Sequence, residues 1–351
     1  MQCTLLVPHL LLPAELGADA CRDLALDELL TLLARASRQT FPAIGMEAWL
    51  CQAFEVEKQQ DWPVAPLTLA LDGGDPGNAY WLRADPVHLR LRRNQVLLAD
   101  CRAFGISRQE TDQFTLALNQ HFAQDGLQFL APHASRWYLR LERKAEMTTR
   151  ALSEAVGADI NACLPAGKDA LHWHRIANEI QMLLQDHPLN AAREAQGGMA
   201  VNSVWLWGGG TRPAVPGRHF SAVWSDEALA CALAAAAGLP AASLPGEAGH
   251  WLNSLDPAQP VNAHALIVLG QLTGAAQYGD SGCWREEISA LNRNWFAPLL
   301  AAVRQRRLSR IALIAPGTRS CERFELSPID LLRFWRRAKP LPAYAPAPVG
   351  N

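Results

Sequence analysis

The chain has 351 residues, 49% hydrophobic and 19% charged, with a formal net charge of −2 and its Lys and Arg residues scattered along it. Such a chain is long enough for two domains, and its charge gives no electrostatic reason to expect a nucleic-acid partner. Its eight cysteines form no Cys-x-x-Cys pair, which argues against structural zinc and against a disulfide framework. No apolar run approaches the roughly 18 residues that span a bilayer. Met1 to Pro13 has no basic leader, so the expectation is a cytoplasmic protein with no membrane partner.

Cys3 to Val7 reads as a buried strand, and Asp19 to Arg38 as an amphipathic helix with Leu26, Leu29, Leu30 and Leu33 on one face. A short helix near Met46 to Phe54 leads into Pro-rich Asp61 to Pro66, and Leu67 to Leu71 reads as another strand. The run Asp72-Gly73-Gly74-Asp75-Pro76-Gly77-Asn78 is a concentrated turn signal and marks a domain crossing. From Tyr80 the pattern is antiparallel: Pro86 to Leu91 and Gln95 to Ala99 make a hairpin around Arg92-Arg93-Asn94. Ser107 and Glu110 form a capping box for a helix with Phe114, Leu118 and Phe122 on one face. Arg136 to Leu141 alternates as a half-buried strand, and a helix runs from about Lys168 to Gln185.

The next stretch, Asp186 to Gly210, is the hardest to explain as packing. Pro188 suits the first position of a short helix, and Gly197-Gly198 ends it. Val201 to Trp207 is β-branched and aromatic, and Gly208-Gly209-Gly210 would let backbone N–H groups approach a ligand with no Cβ in the way. His187, Asn190, Arg193, Asn202 and Trp207 are thereby gathered around a helix-to-strand passage that ends in glycines, as a site at the carboxyl end of a strand would be.

Beyond it, Ser225 caps an alanine-rich helix ending at Gly238, His264 to Gly270 is an apolar strand, Trp284 to Arg307 a long helix, and Arg310 to Ile314 a last strand. Helices alternating with apolar strands imply an α/β fold with a mainly parallel sheet flanked by helices. The expected organisation is a core of residues 1–79 and 200–338, an inserted α+β domain over 80–199, and a disordered Pro-rich tail over 339–351.

The order His-Pro-Leu-Asn, Arg, Gly, Asn and Trp-Leu-Trp-Gly-Gly-Gly resembles a passage of the archaeal-type, cofactor-independent phosphoglycerate mutases of the alkaline phosphatase superfamily. Asp100-Cys101-Arg102-Ala103-Phe104-Gly105 and Ala237-Gly238-Leu239-Pro240 to Gly249 extend the likeness. The bacterial group labelled RpfE-type regulatory proteins looks closer still. The resemblance implies an alkaline-phosphatase-like core with two divalent metals, held by Asp and His, and a serine that accepts the phosphoryl group between them.

Those residues are not where the resemblance implies them. The first strand ends Leu6-Val7-Pro8-His9, with no Asp before Asp19, and the Gly-Ser-Asp turn of the family is matched by Gly45-Met46-Glu47. No histidine follows His264, and the only later aspartates are Asp280 and Asp330. His172 and His174 would lie about 200 degrees apart on a helix and cannot chelate one ion from it. We therefore expect no catalytic residues, no metal and no cofactor. Arg83, Arg102, Arg136 and Arg193 offer planar forks to a carboxylate or phosphate, with Asp85 and Asp100 to orient them. The expected function is a phosphoglycerate mutase-like protein without metal chemistry, regulatory, binding a phosphorylated or carboxylated metabolite or a protein partner. The rival expectation is an active mutase, a related metal-dependent phosphatase or a metal-free hydrolase.

Overall fold

The structure is a computed structural model that describes residues 1–11, 16, 18–92, 94–255 and 263–345. It divides into two compact units, one of Met1–Phe54 with Pro216–Asn351 and one of Glu55–Val215. The first unit opens with β1 (Gln2–Leu6) and β2 (Ser37–Ile44). The second holds β3 (Tyr80–Arg92), β4 (Gln95–Ala99), β5 (Gln128–His133), β6 (Arg136–Leu141), β7 (Met147–Thr148), β8 (Ala166–Gly167) and β9 (Ser203–Gly210). The chain returns to the first unit for β10 (Ala222–Trp224), β11 (Ala241–Ala242), β12 (His264–Val268), β13 (Arg310–Ala315) and β14 (Gly317–Leu326).

The first unit is built on a seven-stranded sheet in the order β11-β10-β12-β1-β13-β14-β2. From β11 to β13 every pairing is parallel, and β14 runs antiparallel to β13 and to β2. This is the mainly parallel α/β sheet that alternating helices and apolar strands imply. β1 lies at its centre because Cys3, Leu5, Leu6 and Val7 are buried apolar residues, as a strand covered on both faces requires. The one polar residue among them, Thr4, meets His264 Nε2 at 2.8 Å. Trp284, Trp295 and Phe296 are fully buried in the same core, so truncating Leu5 to alanine should cost about 2–5 kcal/mol.

The second unit is organised around β3, which pairs β6 through Tyr80–Arg83, β9 through Trp81–Val87 and β4 through His88–Arg92. Helices Arg108–His121 and Ala170–Gln185 bring Phe114, Leu118, Trp173, Ile180 and Leu184 into one core with Trp137, Leu139 and Leu206. The Ser107/Glu110 capping box is present.

Several expectations are corrected. The units divide at 54/55 and 215/216, whereas the sequence placed the crossings at 79/80 and 199/200. The cause is β9, which pairs β3 in the second unit's sheet and does not carry the chain back to the parallel sheet. Residues Val64–Leu71 are a helix, not a strand; a short helix buried on nearly all sides has no period to betray it. Asp27–Arg35 is the only α-helical part of Asp19 to Arg38. Ser225 does not cap the alanine-rich helix but accepts from Glu227 N, and Glu227 is the cap residue. The long helix expected over Trp284 to Arg307 is broken by a π-helical turn at Asn292–Phe296.

β2 and β14 carried no sequence signal, since β2 is an edge strand exposed on both faces. The tail expected from Lys339 is ordered as far as Ala345, with Leu341 and Tyr344 buried in the core; its last part, like Arg93, lies outside the described residues. Among the described residues no helix is long and apolar enough to cross a membrane.

Candidate functional site

The passage singled out in the sequence is held together from within the second unit. His187 caps the helix Pro188–Ala195; its Nδ1 accepts from Leu189 N at 3.3 Å and its ring lies 4.8 Å from that of Phe114. Burial lowers its pKa, which keeps the imidazole in the neutral form that can accept. Asn190 is buried, donating to the carbonyls of Leu184 (2.7 Å) and Val201 (2.9 Å) and accepting from Val201 N (2.8 Å). Asn202 bonds the N–H and carbonyl of Leu89 (2.7 and 2.9 Å), so its amide stands in for a strand partner.

The arginines are engaged in the same way. Arg193 donates to Glu110 (2.6 Å) and to the carbonyls of Met199, Phe104 and Gly105, and its guanidinium lies over the Phe104 ring. Arg83 makes two bonds to Asp85 Oδ1 (3.1 and 2.6 Å) and one to Thr68, with the rings of Tyr138 and Trp207 each 5.3 Å from its Cζ. Trp207 Nε1 completes the cluster by donating to Asp85 Oδ2 at 2.7 Å. Arg136 forks onto Asp72 (2.9 and 2.5 Å), which also accepts from Tyr138 Oη at 2.6 Å. Burial pushes the Asp72 carboxyl up, but the bonds from Arg136 and Tyr138 outweigh it and hold the pKa below the ordinary value. Asp100 caps the helix Cys101–Phe104 and accepts from Arg102 Nε at 2.8 Å.

The thiol of Cys101, which donates to the Pro86 carbonyl at 3.5 Å, feels the charges of Arg83, Asp85, Asp100 and Arg193. Burial raises its pKa, as do the Asp85 and Asp100 charges, against a lowering by Arg193 and Arg83. A thiol held protonated in this way is a poor nucleophile.

Gly208, Gly209 and Gly210 are not a loop but the buried last residues of β9. A Cβ at Gly209 would meet Tyr80 Oη at 2.6 Å and one at Gly210 would meet Pro63 Cβ at 2.5 Å, so these glycines permit close packing. Of the backbone N–H groups that might take a ligand oxyanion, that of Gly208 already donates to Thr149 Oγ1 at 3.2 Å, and Thr149 in turn donates from N and Oγ1 to Asp61. Asp61, Asp72, Tyr138 and Thr149 were not recognised in the sequence as bonding partners, and Glu110 was recognised only as a helix cap, not as the partner of Arg193. All act over long sequence separations, for which linear spacing holds no signal.

The resemblance places chemistry instead at the carboxyl edge of the parallel sheet. β1 ends there at Val7-Pro8-His9, β10 at Ser225-Asp226-Glu227, β12 at Leu269-Gly270-Gln271 and β13 at Ala315-Pro316. β2 runs parallel to β13 across β14 and brings Gly45-Met46-Glu47 to the same edge. His9 has φ 59, a strained conformation for a non-glycine residue, and its carbonyl accepts from Trp284 Nε1. Ser225 and Thr273 are buried, and Thr273 Oγ1 has no hydrogen-bond partner among the described residues.

Among the described residues, the imidazole and carboxylates that these strand ends supply are His9, Glu47, Asp226 and Glu227. Among the described residues, no three or more His, Cys, Asp or Glu side chains come together in a group that could hold a metal ion. This donor set does not fit a two-metal centre, which needs several carboxylate and imidazole ligands at once.

No family model matches the chain. Over 194 residues, 53% of this chain, it is 29% identical to a probable 2,3-bisphosphoglycerate-independent phosphoglycerate mutase of Geobacter sulfurreducens, and the match spans 48% of that protein. Over 101 residues, 27% of this chain and 26% of the relative, it is 34% identical to a mutase of the same name from Methanothrix thermoacetophila. The chain thus matches about half the length, or less, of these curated relatives. Among solved structures, the PH0037 protein of Pyrococcus horikoshii superposes with a TM-score of 0.57 over 93% of this chain and 87% of that one, at 13% identity, which is a likeness of fold. The chain is phosphoglycerate mutase-like in part of its sequence.

Proposed function

We propose that this chain is a phosphoglycerate mutase-like protein without the two-metal site and without the phosphoryl-accepting serine. On this reading it acts as a regulatory, non-catalytic protein, allied to the RpfE-type group, cytoplasmic, and working through a metabolite or a protein partner. The observation that carries the reading is the carboxyl edge of the parallel sheet, with Met46 in the nucleophile's place and His9, Glu47, Asp226 and Glu227 forming no ligand cluster.

A thioether has no proton to lose and cannot take up a phosphoryl group as an ionised serine does. The candidate arginines of the second unit already bond to carboxylates or carbonyls of their own chain, so the reading favours a protein partner over a small anion. The test is turnover. Protein stripped of metal and reloaded with Mn²⁺ or Zn²⁺ should neither interconvert 3- and 2-phosphoglycerate nor hydrolyse phosphate monoesters. Metal-dependent turnover would establish the active mutase or phosphatase instead.

A further inference from the structure

Among the described residues, exposed large apolar side chains are mostly scattered singly, with one exception. Ile329, Leu332, Phe334 and Trp335 crowd into seven residues, and each is between 66% and 77% exposed. Phe334 and Trp335 stack edge to face with centroids 5.4 Å apart. The segment is not a loose end. Leu326 before it and Leu341 after it are buried in the core, and Asp330 accepts from Ser327 N and Oγ. Arg35 donates to the Leu331 carbonyl at 2.8 Å, and Arg336 donates to the Ala36 carbonyl at 3.0 Å. The backbone is therefore pinned from one side, and the apolar groups are held out into water on the other. A solvated apolar cluster of this kind is unfavourable unless something covers it.

Charge decides what kind of surface that is. Arg333, Arg336, Arg337 and Lys339 lie among the apolar residues, and the one acid, Asp330, is bonded to Ser327 and Arg333. The excess is positive although the whole chain is at −2. Closed two-fold pairing of copies through this patch would set its cations against themselves, which disfavours a second copy as the occupant. The apolar side chains stand largely exposed, so they suit a soft surface into which aromatic rings can sink while arginines stay at the charged boundary.

We propose that Ile329–Trp335, with Arg337 and Lys339, is a peripheral docking site for the surface of an anionic lipid bilayer. Such adsorption needs no spanning helix, and it is independent of whether the carboxyl edge of the sheet is active.

The test is cosedimentation of the full chain with vesicles of phosphatidylcholine alone and of phosphatidylcholine with phosphatidylglycerol. Binding should be seen with the anionic vesicles, be weaker by about tenfold or more on the neutral ones, and fall as salt rises. Phe334→Ser with Trp335→Ser should reduce it at least about tenfold, the aromatic rings being the inserted part. Should that variant fold poorly, Arg337→Glu with Lys339→Glu leaves the core contacts alone and should reduce binding to anionic vesicles by a similar factor. Absence of binding to anionic vesicles, or binding unchanged in a folded variant, would overturn the proposal. So would concentration-dependent self-association without vesicles that the same substitutions abolish, because the occupant would then be a second copy.

Discussion

The carboxyl edge of the parallel sheet and the β3/β9 layer of the second unit differ in a way that runs against first expectation. The edge, where a phosphoryl-transfer centre would be built, offers His9, Met46, Ser225 and Thr273 with no ligand cluster among the described residues. The β3/β9 layer is dense in charge and aromatic rings, yet Arg83, Asp85, Asp72, Arg136 and Trp207 bond to one another. These polar residues, gathered in sequence, fix how one buried sheet face is assembled.

The comparison breaks most readily at Asp85. Asp85→Ala leaves the Arg83 guanidinium buried without its carboxylate, and should cost about 3–5 kcal/mol in the denaturant unfolding of the second unit. A loss below about 1 kcal/mol would mean that Arg83 has another anion available, as a binding site would provide. Next in size is Gly209→Ala, whose Cβ would strike Tyr80 and Leu82; overpacking should destabilise by about 1–3 kcal/mol. An unaltered midpoint would return β9 to the status of an open, ligand-accessible strand end.

Smaller effects sharpen the contrast from the side of the core. Thr273→Val replaces a buried hydroxyl that has no partner among the described residues by a methyl group, and should be neutral or stabilising by up to about 1 kcal/mol. A clear loss of stability would reveal a bond partner at the carboxyl edge. The smallest effect concerns Glu322 on β14. Burial raises its pKa, but bonds from Arg38, Ser320 and Thr40 outweigh this and hold it below the usual 4.5. A depressed carboxyl contributes stability above its unfolded pKa that is lost as pH falls through the folded one. Glu322→Gln should therefore flatten the pH dependence of unfolding below about pH 4.5. An acid limb as steep as in the parent would contradict the assignment.

The sequence made the parallel sheet legible because β1, β12 and β13 are apolar runs long enough to be buried on both faces. It hid β2, whose exposed residues show no period, and it misdirected β9. Val201 to Trp207 reads as a strand in either unit, and only pairing with β3 decides which. For the site, the sequence offered Gly45-Met46-Glu47 as the nearest counterpart of the resembled family's Gly-Ser-Asp turn, and it showed that histidines end at His264. It could not show that Asp61 reaches Thr149 or that Asp72 reaches Arg136, since folding alone brings those carboxylates to their partners.

The most direct measurement is a calorimetric titration of metal-free protein with Mn²⁺. The account predicts no stoichiometric site tighter than about 1 mM, because His9, Glu47, Asp226 and Glu227 do not converge. Two equivalents bound at micromolar affinity would contradict it and restore a phosphoryl-transfer centre to this sheet.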